Sequence, residues 1–108
     1  MAKRIEFDYE GRHWIMEFNA RTVKEVQSSG FKAEEISDKS LIMLPLLFRG
    51  AFLMHHRGTK TDVLDKIMQN MGNKEELYAK LIEMYNEPVE ALIEEPDASV
   101  KVEWTGNW

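Results

Sequence analysis

Apolar and polar residues alternate along residues 3–18, with Glu10-Gly11 near the middle of the stretch. A period of two puts alternate side chains on one face of a β-strand, so two strands are predicted here. If Glu10-Gly11 is a two-residue loop, Phe7 lies opposite Trp14, and a four-residue loop keeps the same parity. The apolar faces of the two strands then coincide, which predicts a β-hairpin.

After the hairpin, apolar residues recur every three or four positions, which predicts helices bounded by polar caps and glycines. The expected helices span about residues 20–29, 40–56, 60–71 and 74–94. Proline has no amide hydrogen and crowds the preceding turn of a helix. We therefore expect a kink or a restart at Pro45 and a bend or break near Pro88.

Pro96 ends the helical pattern, and residues 96–108 are predicted to be a tail. Apolar and charged residues alternate in VKVEW, residues 100–104, which indicates a short strand. This strand could pack Trp104 on the hairpin as a third strand. The alternative is a mobile tail in which Trp104 and Trp108 anchor on another protein or subunit, or in which the strand extends a partner's sheet.

These elements predict an α+β fold that is mainly α, with an N-terminal β-hairpin packed on about four to five helices. Residues 1–95 are expected to form a single domain, since a chain of 108 residues can bury one core without disulfide or metal support. The chain has no cysteine, which excludes disulfides and thiolate zinc sites. An intracellular protein is expected from this composition.

The most apolar part of the chain is the segment 41–54, in which eleven of fourteen residues are apolar. This run is shorter than the roughly 18 apolar residues that a membrane helix needs, and it contains Arg49. A buried helix is therefore expected, without a membrane partner. Neighbouring elements can surround such a helix only in part, so some of its surface is expected to serve another protein. The candidate interaction residues on this helix are Leu46, Leu47, Phe48, Phe52 and Leu53.

Charge and motifs exclude several classes of function. The net charge is -5, and residues 72–108 alone carry nine acids and three bases, a balance that disfavours nucleic acid. His55 and His56 are adjacent, and adjacent side chains on a helix point about 100° apart, so they do not form a metal pair. His13 lies on the polar face of the hairpin. No nucleophile elbow or phosphate-binding glycine loop is present, so we expect no enzyme activity, cofactor or metal.

Several segments resemble the small tail assembly chaperones of long-tailed bacteriophages and prophages. IEFDYEGRHWIMEFNARTVKEVQ, residues 5–27, looks like the hairpin and first helix of that family. LPLLFRGAFLMHH, residues 44–56, is similar to its apolar helix. Residues 59–72 and the long helix after Asn73 resemble the helix pair that follows. The likeness spans roughly residues 5–95 and lies in pattern and order.

The resemblance implies a non-enzymatic role in the cytoplasm of the bacterial host cell. Such chaperones bind the tape-measure protein, keep its hydrophobic helices from aggregating, help to recruit tail-tube subunits, and are absent from the mature virion. Self-association could also cover the excess apolar surface, so a homo-oligomer is plausible. Two alternatives stay open: a structural tail or connector subunit of a phage particle, and a small enzyme or metal protein that uses the histidines.

Overall fold

The structure is a computed structural model that describes residues 3–108. Two strands come first, β1 (Arg4–Tyr9) and β2 (Arg12–Glu17). The helical elements that follow are α1 (Ala20–Ser28), a 3-10 helix (Ala33–Glu35), α2 (Ser40–Gly50), α3 (Leu53–His56), α4 (Thr61–Asn70) and α5 (Lys74–Ala91). The predicted α+β class, mainly α with an N-terminal hairpin, is confirmed. Across residues 3–108, every helix is too short or too polar to cross a membrane.

The hairpin turns at Glu10 and Gly11, whose φ angles are 50° and 75°. Two successive left-handed residues form a two-residue turn whose twist matches that of the paired strands. The predicted register is confirmed, since Phe7 pairs with Trp14. The apolar side chains of both strands therefore face the helices together.

One edge of the hairpin is fixed to α3 and to Ala51, the residue that follows α2. Along β2, the N–H of Ile15 donates to His56 Nε2 and the N–H of Glu17 donates to the Ala51 carbonyl oxygen, each at 2.9 Å. The sheet described in residues 3–108 contains only β1 and β2. The outer edge of β1 is therefore not paired with a strand of this chain.

Neither internal proline ends its helix. α2 runs through Pro45 to Gly50, so of the predicted kink or restart at Pro45 the restart does not occur. The hydrogen bond that Pro45 removes would reach the Leu41 carbonyl, which lies in an exposed first turn where water can replace the donor. α5 likewise continues through Pro88 to Ala91, so of the predicted bend or break near Pro88 the break does not occur. Pro88 removes one hydrogen bond of α5, the one that an N–H at this position would donate to the Met84 carbonyl oxygen.

α2 and the residues after it supply the centre of the core. The ring of Phe52 is fully buried, and the rings of Phe7, Trp14 and Phe48 pack edge-on around it. Their ring centroids lie 6.2, 5.7 and 5.2 Å from that of Phe52. Edge-to-face packing at this distance is the arrangement that aromatic quadrupoles favour.

α1 packs closely on α2. It begins at the predicted cap Asn19, whose side chain accepts from the N–H of Thr22 at 2.9 Å, and it ends before Gly30, which has a φ of 108°. At the contact with α2, a Cβ added to Gly50 would overlap the Cγ2 atom of Val26. The glycine therefore sets how near the two helix backbones can approach.

The tail forms no strand within residues 96–108, so the predicted third strand is absent from this chain's own sheet. Val100 donates its N–H to the Asp97 carbonyl oxygen in a turn. The alternating segment has no partner strand to satisfy its backbone groups, and a single strand is not stable in isolation.

Candidate protein-interaction surface

Three of the five predicted interaction residues on α2 and α3 belong to the core. Leu47, Phe48 and Phe52 are fully buried, so the folded chain does not present their side chains on its surface. The hairpin covers Phe52 from one side, and α4 and α5 both pack on α2. Because α2 is apolar on nearly every side, its sequence carries no signal that distinguishes the inward face from the outward one.

Leu46 and Leu53, the other two, line a groove on the surface. Gly50 lies between them along the chain, and all three residues line the same groove. The groove runs between α1, α2 and α4 and encloses about 250 Å³. The buried side chains of Val26 and Leu64 form its floor, and both leucines are half-buried.

Ion pairs border this groove. Arg49 donates from Nε and Nη2 to the two carboxylate oxygens of Asp65, each at 2.9 Å. Arg57 donates from Nη2 to Glu25 at 2.9 Å, and this hydrogen bond lowers the pKa of the Glu25 carboxyl. An apolar floor inside a charged rim is the usual anatomy of a protein interface.

The predicted anchors on the tail, Trp104 and Trp108, are exposed. Nothing in the described chain packs on them strongly enough to remove them from solvent. Their side chains are therefore available to another chain, which is what the mobile-tail alternative requires.

Among the exposed apolar side chains that the candidate residues did not include, four lie next to helix ends. Leu41 and Ile42, in the first turn of α2, are 92% and 58% exposed. Leu92 and Ile93 follow the end of α5 and are each 84% exposed. The sequence placed all four inside helices, and their position next to helix ends was the one signal that they lie outside the core.

The full sequence, residues 1–108, matches a family described as Domain of unknown function (DUF5055). The chain belongs to the DUF5055 family. Neither a curated protein nor a solved structure matches it. The surface of this DUF5055 chain, together with its sequence pattern, is therefore the basis for a proposal about its function.

The adjacent histidines of the DUF5055 chain join α3 to the hairpin. His55 and His56 lie in the last turn of α3, as predicted. His55 Nε2 donates to the buried carboxylate of Glu17 at 2.7 Å, while His56 Nε2 accepts from Ile15. Both contacts support a structural role. Within the described part of the chain, no three His, Asp or Glu side chains are placed to hold a metal ion.

His56 is held in its neutral form. Because a backbone N–H only donates, Nε2 is the unprotonated nitrogen and Nδ1 carries the proton. Nδ1 lies 3.3 Å from Arg12 Nη2, a contact between two donors. Burial lowers the pKa of His56, and the charges of Arg12, His55 and His13 lower it further.

His13, on the exposed face of the hairpin, has the opposite electrostatic environment. Its Nε2 lies 2.9 Å from Glu6 and its Nδ1 lies 2.8 Å from Asp8. Both carboxylates accept hydrogen bonds from the protonated ring, so they raise the pKa of His13. The polar face predicted for His13 is confirmed.

We expect these two histidines to contribute to stability with opposite pH dependence. The lowered pKa of His56 means that the unfolded chain binds more protons, so its contribution is full above about pH 6.5 and is lost as the pH falls through the folded pKa. The raised pKa of His13 makes its contribution full below about pH 6.5, and that contribution is lost as the pH rises through the folded pKa.

Urea unfolding at a series of pH values measures the free energy of unfolding against pH and so checks both predicted directions. His56→Gln keeps an acceptor for Ile15 and should flatten the loss of stability on the acidic side. His13→Asn should reduce the loss of stability that occurs as the pH rises toward neutral. Its loss of stability at acidic pH should equal that of the wild type. If stability falls at acidic pH as steeply in His56→Gln as in the wild type, His56 is not the group whose protonation causes the fall.

Proposed function

We propose that this chain is a non-enzymatic tail assembly chaperone of a long-tailed phage or prophage. It binds the tape-measure protein in the cytoplasm of the bacterial host, promotes assembly of tail-tube subunits, and does not remain in the mature virion. The observation that carries the proposal is the groove beside Leu46 and Leu53, an apolar surface left open along the segment 44–56, which resembles the family's apolar helix. The order of hairpin and helices along the chain also supports it.

The groove suits an apolar helix of the client. A helix presents large side chains three, four and seven residues apart, and a groove between helices receives such a row. Burying one large apolar side chain contributes roughly 1.5 to 3 kcal/mol. A few such contacts hold the client and still allow release when tube subunits compete for the same surface.

The charge distribution supports the same role. The nine acids and three bases in residues 72–108 leave this part of the chain strongly negative. Repulsion between such charged surfaces opposes aggregation of chaperone–client complexes. The neutral groove and the charged helices thus perform separate tasks: the first binds the client and the second keeps the complex dispersed.

Substitutions in the groove test the proposal. We expect Leu46→Asp with Leu53→Asp to reduce recovery of co-expressed tape-measure protein in pull-downs by at least about tenfold, since each charge would have to enter the apolar contact. Leu41→Asp is the matched control, because Leu41 is on the same helix, exposed, and outside the groove. Thermal unfolding shows whether each variant is folded.

Equal recovery of the client by the groove variant and the control would refute binding through this groove. Analysis of purified phage particles addresses the alternative role. A stoichiometric amount of the chain in those particles would favour a structural tail or connector subunit, whereas absence from particles agrees with a chaperone.

A further inference from the structure

The outer edge of β1 is shaped to accept another strand. In a hairpin with a two-residue loop, Tyr9 and Arg12 exchange hydrogen bonds, and every second residue pair along the ladder does the same. Arg4, Glu6 and Asp8 therefore direct their N–H and C=O groups away from β2. β1 is an edge strand of the described sheet, and such an edge is a template for strand addition.

The apolar face of the hairpin is also incomplete on this side. On β2, Trp14 and Met16 are buried, whereas their partners on β1, Phe7 and Ile5, are only half-buried. A groove of about 370 Å³ lies beside the start of β1. Its lining residues are Lys3, Arg4, Ile5, Lys80, Glu83 and Met84. A third strand at the β1 edge would cover both the half-buried side chains of Ile5 and Phe7 and this groove.

The tail carries a strand sequence that lacks a partner. Val100, Val102 and Trp104 are 69%, 81% and 78% exposed, and they alternate with Lys101 and Glu103. The apolar set has the spacing of Ile5, Phe7 and Tyr9 on β1. A shift of the pairing by one residue would turn Val100, Val102 and Trp104 to the opposite face of the sheet. The alternation therefore determines which face of the segment packs on the protein.

We propose that residues 99–104 of one chain pair antiparallel with β1 of a second copy, in a reciprocal dimer. Val102 then lies opposite Ile5 and Val100 lies opposite Phe7. The same register places Glu103 opposite Arg4 and Lys101 opposite Glu6, so that both charges of the segment meet opposite charges.

Charge selects this register over its neighbours. Shifting the antiparallel pairing by two residues puts Glu103 opposite Glu6 in one direction and Lys101 opposite Arg4 in the other. A parallel strand that keeps Lys101 opposite Glu6 puts Glu103 opposite Asp8. Like charges directly opposite each other destabilise a strand pair, so each of these alternatives is disfavoured.

The register also gives Trp104 a place to bind. It lies next to Lys3, at the mouth of the groove beside β1 that Ile5 and Met84 line. The indole ring would bury apolar surface there, and the ammonium group of Lys3 would lie near its face. Trp104 is thus the anchor of the paired segment.

A second copy is the partner because the segment of the same chain lies free of this edge. Lys3 Nζ donates to Glu83 of α5 at 2.7 Å, so β1 begins beside the helix from which the tail departs. Residues 92–99 reach roughly 25 Å when extended. A two-fold axis near this end of α5 lets each tail reach the other β1, which closes the assembly as a dimer. The proposal does not depend on the chaperone function.

Analytical ultracentrifugation of the full chain tests the dimer. Val102→Asp puts a charge in the apolar row and should raise the dimer dissociation constant by about tenfold or more. Asn107→Asp adds the same charge to the same tail outside the paired segment, and it should leave the constant unchanged. Glu6→Pro removes an N–H that points away from β2, so it should block pairing with the tail and leave the hydrogen bonds between β1 and β2 in place.

A mixing experiment with hydrogen exchange identifies the strands involved. Glu6→Pro keeps its tail and Val102→Asp keeps its β1 edge, so the two weakened variants should form a heterodimer through one intact strand pairing when mixed. The amides of Ser99, Lys101 and Glu103, which face β1 in this register, should become protected in the wild type as its concentration rises. A monomer at all concentrations, protection independent of concentration, or a dimer that survives both substitutions would each overturn the proposal.

Discussion

Replacing Phe52 with alanine is expected to lower the free energy of unfolding by about 3 to 5 kcal/mol. The ring is fully buried and touches the hairpin through Phe7 and Trp14 and α2 through Phe48. Its removal leaves a cavity that these edge-on neighbours cannot fill without leaving their own positions. Urea denaturation of the purified variant measures the change.

Leu41→Ala is the control for this measurement. It also removes a large apolar side chain, but Leu41 is 92% exposed, so the expected change is within about 0.5 kcal/mol. A loss below about 1 kcal/mol in Phe52→Ala would mean that the ring is not enclosed as described. It would also return Phe52 to the set of contact residues for a client.

Gly50→Ala is expected to lower the free energy of unfolding by about 1 to 3 kcal/mol. Alanine is the better helix former by about 1 kcal/mol, which works in the opposite direction. The added methyl group would overlap Val26, however, and so would push α1 away from α2. Thermal or urea unfolding measures which effect is larger. We expect the steric overlap to outweigh the gain in helix propensity, so that the variant is less stable than the wild type.

A double-mutant cycle isolates the overlap from the helix propensity. Val26→Ala removes the side chain that Gly50→Ala would meet, so the two changes together should cost less than the sum of their separate effects. Gly72→Ala is the control, because no atom lies within 4 Å of the added group, and it should change stability little. Additive effects at Gly50 and Val26 would contradict a steric origin.

The hairpin could be predicted from sequence because the alternation of apolar and polar residues in this stretch indicates β-strands and no other element. Alternating residues on both sides of Glu10-Gly11 determined strand, register and inward face at once, and Phe7 lies opposite Trp14 as the parity requires. The cap at Asn19 and the left-handed Gly30 were predictable for a similar reason. Asn19 provides a capping hydrogen bond and Gly30 adopts a positive φ, and few residue types can do either.

The interaction surface was harder to predict because it depends on which neighbours arrive from elsewhere in the chain. Leu46 and Leu47 are adjacent and chemically identical, yet one lines the groove and the other is fully buried. The effect of the prolines is hard to predict for a related reason, because the cost of a lost hydrogen bond depends on whether water reaches the freed carbonyl. At Leu41 it does.

The attachment of β2 to the region after α2 imposes an order on folding during translation. Ile15 binds His56 across 41 residues and Glu17 binds His55 across 38. The hairpin itself needs only local contacts and can close as soon as its second strand leaves the ribosome. Its docking must wait until residue 56 has emerged, since closing this long loop is what allows Trp14 and Phe52 to meet. Until then the nascent chain exposes one side of a two-stranded ribbon that has nothing to pack against.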